Sequence, residues 1–266
     1  MYNLVISLIF VFLLVVILGY IFAMQIGTKK EIVVDSLVND KTKIIFFSDL
    51  HLNKLNSLFK RNQKLVKLIN SENPDIVVFG GDLVSQKLTG GLFKNDLVAY
   101  TSFFSQINAT SKYFIKGNHD HKYSINEYSS LMRSHGYIDL TNTQIKSINN
   151  INLVGLDDLK YGEIVEPTIN LANYNICFAH NPDTVLSLLN NYNLIISGHT
   201  HAGQGKIFNY YPMLRFVTEN PTIFNSQEII SINKQKVIVS AGIGSHFNLR
   251  YFQKPKFSII ELVSKN

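Results

Sequence analysis

The sequence predicts one α/β domain with a mixed sheet system, preceded by a single transmembrane helix, and three observations carry that expectation. Leu4 to Met24 is almost wholly apolar and contains no charge. From Thr42 onward, short apolar runs alternate with amphipathic segments, and the second half becomes rich in hairpins. The 266 residues, 46% of them hydrophobic, suffice for one large domain with a substantial core.

At about 1.5 Å per residue, the run from Leu4 to Met24 can cross a bilayer core of roughly 30 Å. Tyr2 and Tyr20 would then sit near its two interfaces. A cleaved signal peptide fits less well, because no Lys or Arg precedes the run and no clear A-x-A site follows it. A buried core helix fits less well still, since no face is polar. Residues 1–28 are expected as a membrane anchor, 29–41 as a linker and 42–266 as the catalytic domain. Lys29, Lys30, Lys41 and Lys43 follow the span, and only the α-amino group precedes it. The positive-inside rule then puts the domain in the cytoplasm, on a single-pass cell-membrane protein.

Lys43–Phe47 and Ile76–Phe79 read as buried strands. Between them Leu65, Leu68 and Ile69 mark one face of a helix over Arg61–Asn70. Asn95–Ile107 reads as a helix and Lys112–Ile115 as a strand. Ser124, with Glu127 three residues on, forms a capping box for a helix running to His135. Asn149-Asn150 joins the arms of one hairpin, and Asn233-Lys234-Gln235 joins those of a second. Tyr174–Ala179 and Leu194–Ser197 read as core strands with a helix over Asp183–Leu189 between them, and Lys256–Leu262 as the last strand.

The net charge of +6 suits phosphate-bearing substrates, anionic headgroups or nucleic acid without choosing among them. No dense Lys/Arg block is present, so no specific nucleic-acid binding is expected. The single cysteine, Cys177, lies in an apolar run and reads as a core residue.

Polar clusters follow five of the predicted strands: Ser48-Asp49-Leu50-His51, Gly80-Gly81-Asp82, Lys116-Gly117-Asn118-His119-Asp120, Ala179-His180-Asn181 and Gly198-His199-Thr200-His201. Ligand sites in α/β sheets gather outside the carboxyl ends of strands. Imidazole, carboxylate and amide oxygen suit divalent cations such as Mn²⁺, Fe or Zn²⁺. Asp49 and His51, two residues apart, can reach one ion only if the strand has ended and the chain turns. Asp82 is the natural carboxylate to bridge two ions, and such a pair can clamp a phosphoryl group and activate the attacking water. Any one of these residues alone reads as an ordinary turn or core residue. Their concurrence, with five of the eight histidines in the clusters, is what points to a site. His121, His135 and His246 fall outside it, and the first two read as surface residues.

The ordered set Asp49-x-His51, Gly81-Asp82, Gly117-Asn118-His119-Asp120, His180 and Gly198-His199-Thr200-His201 resembles the calcineurin-like metallophosphoesterases. The resemblance covers nearly all of residues 43–262. It implies a four-layer α-β-β-α sandwich of two mixed sheets. It also implies two divalent metals, Mn²⁺ first among the candidates. One would be held by Asp49, His51, Asp82 and His201, the other by Asp82, Asn118, His180 and His199. His119 would contact phosphate and act as general acid, oriented by Asp120. Together with the anchor, the motifs His180-Asn181-Pro182-Asp183, Gly198–Gln204 and Ser240–Ser245 are similar to the membrane-associated bacterial branch. That branch includes phosphodiesterases and UDP-2,3-diacylglucosamine pyrophosphatase.

The activity implied is hydrolysis of a phosphodiester or pyrophosphate in a membrane-associated, lipid-linked substrate such as UDP-2,3-diacylglucosamine. The alternatives are a broad phosphodiesterase or phosphatase on soluble nucleotides or phosphoproteins, and a non-catalytic scaffold. A scaffold would typically have lost ligands, which this chain retains. The aromatic and apolar segment Ile207–Phe224 reads either as core packing or as an apolar rim for lipid. Arg215 and Arg250 are candidates for phosphate contact, against the plainer reading of exposed loop arginines. Oligomeric state is not readable.

Overall fold

The computed structural model describes residues 2–52, 59–84, 92–122, 125–146, 148–206, 211, 213–224, 229–232, 235–245 and 249–265. The chain opens with helix α1 (Tyr2–Met24) and continues into strand β1 (Gly27–Asp35). There follow β2 (Thr42–Phe47), α2 (Phe59–Ser71), β3 (Ile76–Phe79), α3 (Leu92–Thr101), β4 (Ser111–Phe114), α4 (Ile125–Ser134) and β5 (Ile138–Asp139). The second half holds β6 (Thr143–Lys146), β7 (Ile151–Gly155), β8 (Tyr174–Ala179), β9 (Leu194–Ser197), β10 (Ile230–Ile232), β11 (Gln235–Val239) and β12 (Lys256–Ser264).

These strands form two mixed six-stranded sheets, ordered β1-β12-β2-β3-β4-β5 and β10-β11-β9-β8-β7-β6. The period-two alternation of strand side chains builds the layers. From β2, Ile44 and Phe46 point into a core shared with Ile176, Phe178 and Ile196 of the other sheet. Ile45 and Phe47 point the opposite way, against Leu65 and Ile69 of α2 and Met132 of α4. Both strand faces are buried, which is why these runs are continuously apolar. Cys177 and Ile195 face a third core outside the second sheet, closed by Val185, Tyr192 and Phe224.

Four expectations change. The segment 29–41 is no simple linker, because β1 pairs in parallel with β12 along its whole length. That partner lies more than 200 residues away in the chain, so no local pattern announces it. The helix over Asp183–Leu189 is a 3₁₀ helix, Pro182–Ser187. Asn181 caps it by accepting from the Asp183 N–H at 2.9 Å, and six residues starting at Pro182 are too few for a stable α-helix. The helix from Asn95 gives way to a 3₁₀ turn at Ser102–Gln106. His135 is buried, not on the surface: it bonds Thr101 Oγ1 at 2.9 Å and stacks on Phe104. Both hairpins form as antiparallel pairs. Ser124, His246 and part of Ile207–Phe224 lie outside the described residues.

Candidate metal centre

β2, β3 and β4 run parallel in one sheet, and β7, β8, β9 and β11 in the other. Their carboxyl ends release the loops that carry the polar clusters. β2 ends at Phe47, and the chain then turns through left-handed backbone at Asp49 (φ 57°) and His51 (φ 43°). Both side chains can therefore face the same point. Asp82 (φ 58°), His199 (φ 67°) and His201 (φ 50°) are held in the same unusual region. The loops are stitched to one another. Asp49 N donates to Gly81 O at 2.9 Å, His51 N to Asp82 O at 3.1 Å and Gly244 N to Asp49 O at 2.6 Å. Gly81, at φ +87°, lies so close to the next loop that a Cβ there would clash with Gly117 N.

The side chains converge in three sets: Asp49–His51–His201 and Asp82–His180–His199 share no residue, and His51–Asp82–His119 links them. His51 Nε2 and His201 Nε2 approach to 3.0 Å, and His201 Nε2 lies 3.6 Å from Asp49 Oδ1. His199 Nδ1 and His180 Nε2 approach to 3.2 Å. Asp82 Oδ2 stands between the sets, 3.4 Å from His51 Nε2 and 3.3 Å from His180 Nε2.

Second partners fix which ring nitrogen faces inward. His180 Nδ1 bonds Gly80 O at 2.7 Å, and His201 Nδ1 bonds Gly244 O at 3.2 Å. Each ring therefore donates backwards and turns the lone pair of Nε2 towards its neighbours, the usual arrangement behind a metal-ligating histidine. Asp82 Oδ1 is held by the His119 N–H at 2.8 Å, leaving Oδ2 to the histidines. Asp49 accepts from Ser48 Oγ and, at 3.1 and 3.2 Å, from the His199 N–H. Asn118 Oδ1 is buried with no hydrogen-bond partner among the described residues. Lone pairs from imidazole, carboxylate and amide thus converge in a buried space, a donor set that fits divalent cations.

Burial by itself would raise the Asp82 carboxyl. His180 chiefly, with His51 and His119, outweighs it and holds Asp82 well below the usual carboxylate range. Asp120 shows the reverse: burial, then the charge of Asp82, pushes it up to about 7 despite its backbone bonds. Those bonds redefine Asp120. Its carboxylate accepts from the N–H groups of Asp82 (2.7 Å), Gly117 (2.8 Å) and Leu83 (2.9 Å). It pins the two ligand loops together, so its influence on His119 runs through the backbone and not through the orienting bond expected.

The two arginines separate. Arg215 is exposed and lines a cleft of about 560 Å³ together with Asp82, Asn118, His119 and His199. Arg250 is fully buried and cannot reach a substrate. Its guanidinium donates to the carbonyls of His201 (3.0 Å), Ala241 (2.8 Å), Gly242 (3.3 Å) and Gly244 (2.6 Å). It clamps the loop of His201 to that of residues 241–244, and burial lowers its pKa to about 9.

Sequence reading missed the rest of the cleft. Lys122, Lys160 and Tyr161 line it, with the Lys122 ammonium 4.4 Å from the Tyr161 ring centroid. His121, read as a surface residue, is half-buried and pairs with Asp157 at 2.6 Å. Asp183 holds the rim segment by accepting from Thr218 Oγ1 (2.8 Å), Glu219 N (3.0 Å) and Asn220 Nδ2 (2.9 Å). A signal was present for part of this: Asp157-Asp158 follows β7 just as the other clusters follow their strands.

The comparisons agree with the geometry. The family model described as calcineurin-like phosphoesterase matches residues 42–203. A metallophosphoesterase of Campylobacter jejuni is 28% identical over 99% of this chain and 72% of its own length. The metallophosphoesterase YkuE of Bacillus subtilis is 29% identical over 91% of this chain and 87% of its own length. The phosphodiesterase YaeI of Escherichia coli is 27% identical over 83% and 82%. With two mixed sheets, a buried Asp/His cluster at their shared edge and a family match across most of the domain, this chain belongs to the calcineurin-like phosphoesterases, metal-dependent hydrolases of phosphoesters.

Proposed function

We propose that the protein hydrolyses a phosphodiester or pyrophosphate bond in a membrane-associated, lipid-linked substrate. The observation that carries this reading is the position of Asp82 Oδ2, 3.4 Å from His51 Nε2 and 3.3 Å from His180 Nε2, in a cleft that Lys122, Lys160 and Arg215 also line. Asp49, His51, Asp82 and His201 would hold one divalent ion, and Asp82, Asn118, His180 and His199 the other, with Mn²⁺ the first candidate. Bound there, two such ions would supply Lewis-acid stabilisation of the phosphoryl oxygens and lower the pKa of the attacking water.

The remaining work falls to the chain's own groups. The rim cations draw in and orient the anionic substrate. Arg215 offers a planar, multi-donor contact to phosphate oxygens. His119, 4.0 Å from Asp82 Oδ2 through Nε2 and lining the cleft, gives its proton to the departing oxygen. Asp120 keeps Asp82 and the His119 loop in register through its three backbone bonds.

Two observations support the choice of substrate. YaeI carries the name phosphodiesterase. Helix α1 is long and apolar enough to cross a membrane, and an anchored enzyme meets its substrate in two dimensions. Helix α1 would be the anchor and the sheets from β1 onward the catalytic domain, with Lys29, Lys30, Lys41 and Lys43 holding that domain on the cytoplasmic side.

The test is a rate comparison on the Mn²⁺-loaded full-length protein among a phosphomonoester, a soluble phosphodiester and UDP-2,3-diacylglucosamine. The diester and the lipid-linked pyrophosphate should be preferred. Clear preference for the monoester overturns the substrate class.

A further inference from the structure

Strand register ties helix α1 to the ligand edge of the domain. β12 runs antiparallel to β2, with Ser258 opposite Phe46, so Lys256 lies at the end of β2 from which Asp49 follows. β1 runs parallel to β12, with Gly27 opposite Lys256. β1 therefore starts at the ligand edge, and α1, ending at Met24, meets the domain there and not at the far edge.

The contacts agree with the register. Arg250 N donates to Gly19 O at 3.0 Å, while the same residue's guanidinium grips the carbonyls of His201 and Gly244. A Cβ on Gly19 would lie 2.6 Å from the Tyr251 ring. Phe22 and Phe252 meet with ring centroids 5.9 Å apart. Tyr251 N donates to Gln204 O at 3.0 Å, three residues beyond His201. One residue, Arg250, thus touches both the helix and a candidate ligand loop.

The rest of α1 is laid out differently. Gly19 and Ala23 are buried on its docked face, whereas Tyr2 to Leu18 is exposed apart from the partly covered Val16. That is roughly 17 residues, or about 26 Å of helix, close to the roughly 30 Å of a hydrocarbon core. With lipid around the exposed part, the docked turn at Gly19–Met24 falls at headgroup level, and so does the ligand edge packed on it. The side chains near that edge suit the position. Phe216 (68% exposed) lines the cleft beside Arg215, and Phe252 (72% exposed) packs on Phe22 of α1, and exposed aromatics with nearby cations are favoured at a membrane interface.

We infer that α1 seats the ligand edge against the bilayer surface, so that the cleft takes a phosphoester headgroup presented by a lipid within that bilayer. This rests on the phosphoesterase reading for the chemistry and on the register and contacts of α1 for the placement. The opposite edge, where β8 and β9 begin, faces away from the membrane and carries Leu171, 70% exposed.

The experiment is depth-dependent quenching on the full-length protein in phosphatidylcholine vesicles bearing headgroup nitroxides. Cys177 is fully buried, so a fluorophore goes to a cysteine introduced by Phe216→Cys or, in a separate protein, Leu171→Cys. Phe252→Cys provides a second probe at the near edge should Phe216→Cys fold poorly. Quenching at Phe216 and Phe252 should be several times that at Leu171. Equal, weak quenching at all three positions overturns the inference. Because quenching needs no turnover, that result leaves the phosphoesterase reading intact. Strong near-edge quenching in a protein that hydrolyses no phosphoester supports the placement and counts against the phosphoesterase reading alone.

Discussion

The two edges of the paired sheets differ in which residues carry left-handed backbone. At the far edge, where β3 and β7 begin, the positions with positive φ are Asn73, Asn149 and Asn150. Asparagine tolerates that conformation and serves turns well. At the ligand edge the same conformation falls on Asp49, His51, Asp82, His199, His201, Ala202, Gln204 and Phe252, beside a single asparagine, Asn142. Asp and His enter this region more often than most side chains, whereas Ala, Gln and Phe rarely do, and a strained instance costs on the order of 1–3 kcal/mol. The far edge uses residues chosen for the turn. The ligand edge keeps residues chosen for their side chains, and the packed loops around them hold the strained backbone.

The largest effect should come from breaking that packing. Gly81→Ala places a methyl group against the Gly117 backbone at a φ of +87°. It should cost about 3 kcal/mol or more in denaturant unfolding. A loss below about 1 kcal/mol would mean that the loops have room to part, contrary to the account.

Arg250→Met should follow, at about 3 kcal/mol, since four carbonyls lose a buried donor. Metal affinity should fall with it, although the residue touches no substrate. A variant that kept both stability and metal would remove Arg250 from the support of His201.

Arg250 also shows where sequence reading stops. A lone arginine between predicted strands looks like a loop residue, and only the tertiary meeting of residues 201 and 241–244 turns it into a clamp. Asp120 follows the same logic: the motif marks it as important, but its partners are backbone groups that no side-chain pattern reveals. The residues that gather at the candidate metal centre were legible. Asp49, His51, Asp82, His180, His199 and His201 each follow an apolar strand, so strand termination and residue type were enough. Strand β1 was not, since Gly27–Asp35 is ordered by β12 at the other end of the chain.

A smaller effect sharpens the comparison from the opposite side. His199→Gly relieves a left-handed histidine and thins a crowded polar cluster. In chelator it should raise unfolding stability by about 1 kcal/mol while weakening metal binding. Asn149→Gly, the same exchange at the far edge, should change stability by less than about 0.5 kcal/mol. Equal responses at the two positions would erase the distinction between the edges.

The smallest expected effect concerns the rim pair His121–Asp157. The hydrogen bond and charge of Asp157 raise His121 above 6.5. Burial alone would raise Asp157, but its bond to His121 chiefly, aided by backbone bonds, holds it below 3.8. The His121 contribution is complete below pH 6.5 and disappears as pH rises through the raised folded value. That of Asp157 is complete above pH 3.8 and disappears as pH falls through the depressed folded value. The stability difference between the protein and His121→Ala should therefore be largest between those limits and shrink on both sides. A difference that does not vary with pH would show that the pair is not ionised.

One carboxylate, Asp82, is proposed to serve two metal positions, and that sharing can be measured. It is tested most directly by measuring bound divalent metal per chain, together with hydrolysis of a soluble phosphodiester, for the protein, Asp82→Asn and Asn118→Ala. The unaltered protein should bind about two ions per chain. Asp82→Asn should empty both positions and reduce the rate by about 10³-fold or more, whereas Asn118→Ala should weaken one position only. An Asp82→Asn protein that keeps its metal and its rate would rule out a shared carboxylate at Asp82.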